Sequence, residues 1–514
     1  MPLGHPLPVS ARLSKSTFLR GLQCHKSLYL YQHHRDLQDP PDLGKEAIFS
    51  TGHQVGELAR DLFPGGVLAI DGHPSRVKQS IERTKKLIAE GANVLYEPVF
   101  QHNSVLAYVD ILVREGDAWR AYEVKSSSTV KDVNYLDAGI QYYIMTGAEI
   151  ELLDISIVHL NTSYVRQGNL DLEQLFEMVS VLQEARDLQS EIPGQLENMR
   201  GVLAEGIVPE IDIGSQCSDP YDCDFIGHCW APVPELSVFN VAWLKKETKF
   251  DLYRSGILRI EEIPDNYKLT ARSSFHVKSH KNGKEVIDRQ AIREFIDGLL
   301  YPLYFLDFET YNPAIPPFDG IKPYGKIPFQ YSLHRKESSE ANATHAGFLA
   351  EAGIDPRREL VVSLLEGIER SGDILVYNQS FEKSVIKKLA QHFPDLANEL
   401  EELLLRIQDL MVPFQKRHYY HPQMNGKYSI KSVLPALVPD LSYDGLTIAN
   451  GDLAMQAFAE LQVEDDPDQV AVVRRDLWEY CKLDTFAMVR ILEELESLYL
   501  IADERSEQEF GGSK

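Results

Sequence analysis

The sequence predicts an α/β protein of more than one domain, on three observations. The chain has 514 residues, too many for a single hydrophobic core, so two or three domains are expected. Short apolar runs that read as buried strands are interspersed with longer segments of helical periodicity. The most informative run is Leu303-Tyr304-Phe305-Leu306, followed at once by Asp307-Phe308-Glu309-Thr310. Positions i and i+2 of a strand face the same way, so Asp307 and Glu309 project side by side. Adjacent carboxylates repel unless a cation neutralises them, and the simplest partner is Mg²⁺ or Mn²⁺ with oxygen ligands. A D-x-E triplet alone is more often two acids at a solvated strand end. Further carboxylates at fitting places in the same half of the chain give the metal reading its weight.

Composition narrows the class. At 44% hydrophobic and 25% charged residues, the chain has the make-up of an ordinary globular protein. It holds no run of about 18 apolar residues, so no membrane span is expected. Residues 1–10 lack a basic start followed by an apolar stretch, so no secretion signal is expected and a cytoplasmic protein is the default. The net charge of −25 argues against a large non-specific nucleic-acid surface. It does not exclude a nuclease, because acidic metal clusters are part of that count and bound cations invert their local charge. Of five cysteines, Cys217, Cys223 and Cys229 are bunched, while Cys24 and Cys481 lie far away. In a reducing cytosol such a bunch suggests metal binding rather than disulfides.

Residues 13–35 read as one helix, capped by Ser14 or Ser16 and containing Cys24. Residues 47–62, with His53 in the middle, and 76–89 read as two more. Strand-like runs follow at 94–100, 104–114 and 118–124, the last two joined by the hairpin turn Glu115-Gly116-Asp117. Asp110 ends an apolar segment of the second run. In Glu123-Val124-Lys125, on the third, Glu123 and Lys125 share a face. A carboxylate on each of two paired strands, with a lysine beside them, can hold a metal and orient a water near a phosphate. A helix over 137–145 presents Gln141, and 154–160 is a further strand.

His53, Asp110, Glu123-Val124-Lys125 and Gln141 together resemble the RecB-like branch of the PD-(D/E)XK nucleases. The resemblance implies a restriction-endonuclease-like core. Its metal site would be formed by His53, Asp110 and Glu123 with catalytic Lys125, and Gln141 on the next helix would face substrate. Where the family carries a tyrosine four residues after the glutamine, this chain has Met145. Three cysteines at C-x5-C-x5-C in a turn-rich loop are too many for core thiols. Thiolates bind Zn²⁺ or iron–sulfur clusters, and Cys24 is the natural fourth ligand. One cysteine before the core and three after it resembles the iron–sulfur RecB-like nucleases, including CRISPR-associated and helicase-linked ones. That resemblance implies a [4Fe-4S] cluster on Cys24, Cys217, Cys223 and Cys229, and a helicase or defence-system partner. A structural Zn²⁺ site, with His25 or His228, is the alternative, because five residues rather than two separate the first pair of the trio. Cys481 is expected to be a plain core or surface thiol.

The proline-rich segment 231–235 marks a boundary, and 234–300 reads as a helical connector with a faint helix-hairpin-helix pattern at 252–264. Residues 320–327 nearly spell a P-loop, but Ile327 stands where Ser or Thr must meet Mg²⁺, so nucleotide binding is rejected. Strands are expected at 329–334, 345–349 and 374–377, and helices at 357–370 and 469–498. The 374–377 strand runs into Asn378-Gln379-Ser380-Phe381-Glu382. On the last helix Tyr480 and Asp484 are four apart and share a face. This order resembles the RNase H-like DEDD exonucleases over about residues 301–500. The resemblance implies that Asp307, Glu309, Glu382 and Asp484 bind metal and that Tyr480 orients the attacking water. Glu382 stands where the family usually has Asp. Two metals about 4 Å apart would clamp the attacking and leaving oxygens. Phe308 or Tyr311 is expected to stack on a terminal base, with Asn378, Lys427 and Lys431 as further substrate contacts. Asp409 fits the pattern by position, either toward substrate or holding the fold.

The expected organisation is a nuclease domain at 1–233, the connector, an exonuclease domain at 301–503 and a disordered tail at 504–514. The expected function is a two-site, metal-dependent nuclease acting on nucleic acid, DNA rather than RNA, at single-stranded ends in repair or phage defence. An RNA-processing 3′-5′ exoribonuclease and a non-catalytic nucleic-acid-binding scaffold are the alternatives.

Overall fold

A computed structural model describes residues 13–40, 43–70 and 76–510. The chain divides into two compact units, each of mixed α and β structure. One is Met1–Val233 with Ala314–Tyr324, the other Pro234–Pro313 with Gly325–Lys514. The expected connector at 234–300 therefore lies within the second unit. No helix among the described residues is long and apolar enough to cross a membrane.

The first unit opens with two helices, not one. They are α1 (Lys15–Gln23) and α2 (His25–His33), and Cys24 between them has extended backbone, φ −164° and ψ 117°. Ser14 caps α1 by accepting from the Thr17 amide, as its position predicts. Helix α3 (Leu43–Ala59) follows. A six-stranded sheet then runs in chain order: β1 (Val67–Leu68), β2 (Val94–Tyr96), β3 (Ile111–Glu115), β4 (Ala118–Lys125), β5 (Leu152–Leu160) and β6 (Phe176–Ser180). Strands β2, β3 and β4 are antiparallel, while β4 and β5 are parallel. The β4–β5 crossover is helix α4 (Asp132–Gly147). The runs at 94–100 and 104–114 each break in two. Glu97 turns at φ 52° ahead of Pro98, and the pieces Val99–His102 and Val105–Tyr108 pair in a separate small sheet with Leu13–Ser14. Ile140 and Ile144 of α4 pack with Phe18, Leu112 and Ile155 to form the core.

In the second unit, helix α5 (Ala271–Asn282) precedes a five-stranded sheet. Its strands are β7 (Leu303–Tyr311), β8 (Ile327–Lys336), β9 (Thr344–Leu349), β10 (Ile374–Val376) and β11 (Ile407–Asp409), in the spatial order β9-β8-β7-β10-β11. β7, β8 and β9 are antiparallel, whereas β7, β10 and β11 are parallel. Helix α6 (Gln379–His392) leaves β10, and α7 (Pro467–Phe510) closes the unit. The tail expected from residue 504 is helical through Phe510, and 511–514 lie outside the described residues. The period of two along β7 divides its side chains between two cores. Leu303 and Phe305 pack with Ala487 and Ile491 of α7, whereas Tyr304, Leu306 and Phe308 pack with Val385 and Ile386 of α6. Each such burial contributes about 1.5–3 kcal/mol.

Candidate active sites

In the first unit, β4 ends with Glu123 and Lys125 on one face, and α4 brings Asp137 and Gln141 against them. Lys125 Nζ donates to Glu123 Oε1 at 2.6 Å and to Asp137 Oδ2 at 2.5 Å. Lys15, from the start of α1, makes a second bridge between the same acids, 2.6 Å from Glu123 Oε1 and 3.1 Å from Asp137 Oδ1. Burial alone would lower the pKa of either lysine. The two carboxylates outweigh it and hold both well above the ordinary range. Burial likewise works to raise Asp137, but Lys15 and Lys125 outweigh it and hold its carboxyl far below the usual range. Asp110 sits between Val105–Tyr108 and β3 and accepts the Val124 amide at 2.6 Å. Its burial, then the nearby Glu123 charge, push its pKa up to about 7.

Gln141 is fully buried and donates to Glu123 Oε2 at 2.7 Å and to Asp137 Oδ1 at 3.3 Å. It therefore orients the acids and has no surface to offer a substrate. His53 is not brought to this cluster. It is 73% exposed on α3, with Nε2 3.3 Å from Glu57 one turn on. The sequence reading missed Lys15 and Asp137. Asp137 carried a signal, standing one helical turn before Gln141 on the same face. Lys15 is more than a hundred residues from its partners and carried none.

The four cysteines named from the sequence, Cys24, Cys217, Cys223 and Cys229, line one pocket. Cys24 owes its place there to the break between α1 and α2. All four are free thiols. Burial pushes up the Cys24 thiol, and Cys223 and Cys217 add to the effect.

In the second unit, Asp307 and Glu309 lie on the α7 side of β7, where α7 presents Tyr480, Cys481 and Asp484. Ligand atoms of Asp307, Glu309 and Cys481 all lie within 4.8 Å of one another. Asp484 accepts from the Tyr443 hydroxyl at 2.6 Å and also from Tyr480. Burial, then the neighbouring Asp484, drive the pKa of Asp307 and Glu309 well up. Burial raises Asp484 to about 6 and Glu382, in the first turn of α6, to about 8. Glu382 is 1% exposed and its Oε2 has no hydrogen-bond partner. None of these four acids has an ion pair among the described residues. Lys431 pulls Glu309 and Asp484 down, while its own Nζ donates to the Ala449 carbonyl at 3.0 Å.

Two expected substrate contacts take other places, while Asn378 is exposed at the start of α6. Phe308 is 2% exposed, because lying between Asp307 and Glu309 on a strand turns it into the opposite core, against Tyr331. Tyr311 is buried against Phe458. Neither can stack on a base. Asn378 has left-handed backbone, φ 78°, at the start of α6, and its amide donates to Asp409. Asp409 also accepts from the Gln379 and Met411 amides, so it holds the fold. Lys427 is exposed in the loop before Ile430–Leu437. Tyr443 and Cys481 were not found from sequence. Tyr443 lies in a segment without motif, and Cys481 was expected to be an ordinary thiol.

A family model described as a domain of unknown function, DUF2779, matches residues 304–429. That span takes in β7 to β11, with Asp307, Glu309 and Glu382, and stops before Tyr480 and Asp484. None of the curated proteins matches the chain.

Proposed function

We propose that the chain is a metal-dependent nuclease with two centres that hydrolyses phosphodiester bonds at single-stranded ends, of DNA rather than RNA. The observation that carries this reading is the gathering of Asp307, Glu309, Glu382 and Asp484 without a basic side chain bonded to any of them. Buried carboxylates stay charged only beside a cation, so this donor set fits Mg²⁺ or Mn²⁺. Asp307, Glu309 and Asp484 would hold it, with Glu382 Oε2 free to join. When bound, a divalent cation supplies charge neutralisation at the phosphate and an acidified water. The chain's own contribution is positional. The Tyr480 hydroxyl, kept protonated by burial and by Asp484, donates its one proton to Asp484, and its oxygen would orient an attacking water by accepting from it. The strand order β9-β8-β7-β10-β11, antiparallel then parallel, supports an RNase H-like reading of this unit.

In the first unit, a mixed sheet carrying Glu123 and Lys125 at the end of β4, with α4 next, supports the PD-(D/E)XK reading. In this reading Lys125, bonded to Glu123, would stabilise charge developing on a phosphate, while Gln141 fixes Glu123. The pocket that Cys24, Cys217, Cys223 and Cys229 line would hold an iron–sulfur cluster, with a structural zinc ion as the alternative.

The test is digestion of end-labelled single-stranded DNA and RNA with Mn²⁺, comparing wild type with Lys125→Ala, Asp307→Ala and the double variant. Each single variant is expected to lose a distinct set of products and the double variant to lose all cutting. The polymer cut faster identifies the substrate. If wild type cuts neither polymer with any divalent metal, the enzyme reading gives way to a binding scaffold. Protein purified without oxygen is expected to carry iron and broad visible absorption, both lost in Cys24→Ser.

A further inference from the structure

Away from the acids, the second unit has a shallow cleft lined by both aromatic and basic side chains. Trp243, 47% exposed, stacks on Tyr428 with ring centroids 5.8 Å apart and planes 18° from parallel. The Arg272 guanidinium, from α5, lies 4.9 Å from the Trp243 ring centroid, and Arg417 lies 4.2 Å from that of Phe275. Lys427 completes the basic wall. None of these three cations has an ion pair among the described residues, in a chain whose net charge is −25. Arg272 and Lys427 are exposed and Arg417 is half-buried, and three basic groups lining one cleft of so acidic a chain favour an anionic occupant.

The backbone points the same way. Trp243 and Arg417 both have left-handed backbone, φ 63° and 62°, a conformation that bulky side chains adopt only when the surroundings impose it. Such strain gathers where a side chain must be aimed. His276, 1% exposed, accepts the Ala242 amide at Nδ1, which assigns its proton to Nε2, and Nε2 has no partner. Burial holds its pKa to about 4, so near neutral pH it is an uncharged donor at the cleft wall.

We propose that this cleft holds a nucleotide of a single-stranded nucleic acid, its base stacked on Trp243 and Tyr428 and its phosphate held by Arg272, Arg417 and Lys427. Any base offers a π face to such a platform, and guanidinium groups match phosphate geometry. The cleft is tied to the acid cluster by a short segment. The Tyr428 carbonyl accepts from Tyr377 on the β10 side at 2.8 Å, and three residues further Lys431 acts on Glu309 and Asp484. A strand held here is thereby fixed in register with the acids, an inference that rests on the nuclease reading of that cluster.

The experiment is binding of fluorescent single-stranded oligonucleotides, DNA and RNA of one sequence, to full-length Asp307→Asn protein in chelator, where nothing is cut. Binding is expected to quench tryptophan fluorescence. Trp243→Ala, Arg417→Ala and Arg272→Ala are each expected to weaken binding roughly 5- to 100-fold. Trp243→Phe, which keeps a stacking face, and unchanged melting temperatures guard against misfolding. The tighter-binding polymer identifies the ligand. Parent-like affinity in Arg272→Ala/Arg417→Ala and in Trp243→Ala, no binding to the parent, or equal displacement of the oligonucleotide by poly-glutamate would each overturn the proposal. The two readings separate cleanly. Cleft-dependent binding without cutting by wild type defeats the nuclease reading alone. Cutting with KM unchanged by the cleft variants defeats the cleft alone.

Discussion

Glu382 carries its charge at a disadvantage. In the unfolded chain its carboxyl ionises near its ordinary value, and in the fold burial raises it to about 8. The folded state therefore binds the extra proton between those values, and stability from this group falls as pH rises through them. In metal-free protein, Glu382→Gln is expected to raise the melting temperature relative to wild type at about pH 9 and to leave it unchanged at about pH 4. Excess Mn²⁺ is expected to narrow the gap by stabilising wild type. Lys15 supplies a second residue-scale prediction. It is one of two cations between Glu123 and Asp137, so Lys15→Ala leaves buried charge undercompensated and is expected to cost about 1–3 kcal/mol by chemical denaturation without divalent metal. Mn²⁺ is expected to restore most of that loss, and a loss indifferent to Mn²⁺ would sink the idea that the cluster accepts a cation. Asp307, Glu309, Tyr480 and Asp484 were legible in the sequence because each pair obeys one element's period. Lys15, Tyr443 and Cys481 reach their sites by tertiary folding alone, which no local spacing encodes. Phe308 was misplaced because the alternation that pairs Asp307 with Glu309 must also turn the residue between them away.

At the scale of elements, the start of α6 depends on one side chain. Asp409 accepts three backbone amides, from Asn378, Gln379 and Met411, at the ends of β10 and β11. Asp409→Ala leaves those amides without their partner and is expected to lose about 2–4 kcal/mol of stability. Asp409→Asn, which retains an acceptor, is expected to lose less, and both are expected to bind Mn²⁺ with wild-type stoichiometry by calorimetry. A missing Mn²⁺ equivalent in Asp409→Asn would make Asp409 a ligand instead. Most elements were legible from periodicity, and their breaks were not. The expected first helix divides at Cys24 and two expected strands divide near Glu97 and Asp110. At each break the chain changes direction in response to packing that is distant in sequence. Those same breaks put Cys24 in the thiol pocket and Asp110 beside Val124, so local periodicity failed where candidate ligands are set.

For the whole molecule, charge and connectivity matter more than any one contact. With a net charge of −25, long-range attraction to a polyanion is weak, and binding must rely on the few cations the cleft concentrates. Neutralising phosphates with three cations predicts a slope of about −2 for log affinity against log salt with single strands. A much steeper slope in titrations of the Asp307→Asn protein would mean a larger basic surface than the cleft supplies. The division near residue 233 was legible from its prolines, while the assignment of Ala314–Tyr324 to the first unit was not, because nothing in a loop's composition says which core it joins. Ala314 is buried with Val55, Ile111 and Val158, and Arg166 donates to the carbonyls of Pro316 and Pro317. The loop between β7 and β8 is thus a component of the first unit's interior. A gene cut at the apparent boundary would yield an amino-terminal fragment with a hole where Ala314 belongs. Neither half is a portable module, and shuffling or truncation that treats them as beads on a string should give insoluble product even where every candidate ligand is retained.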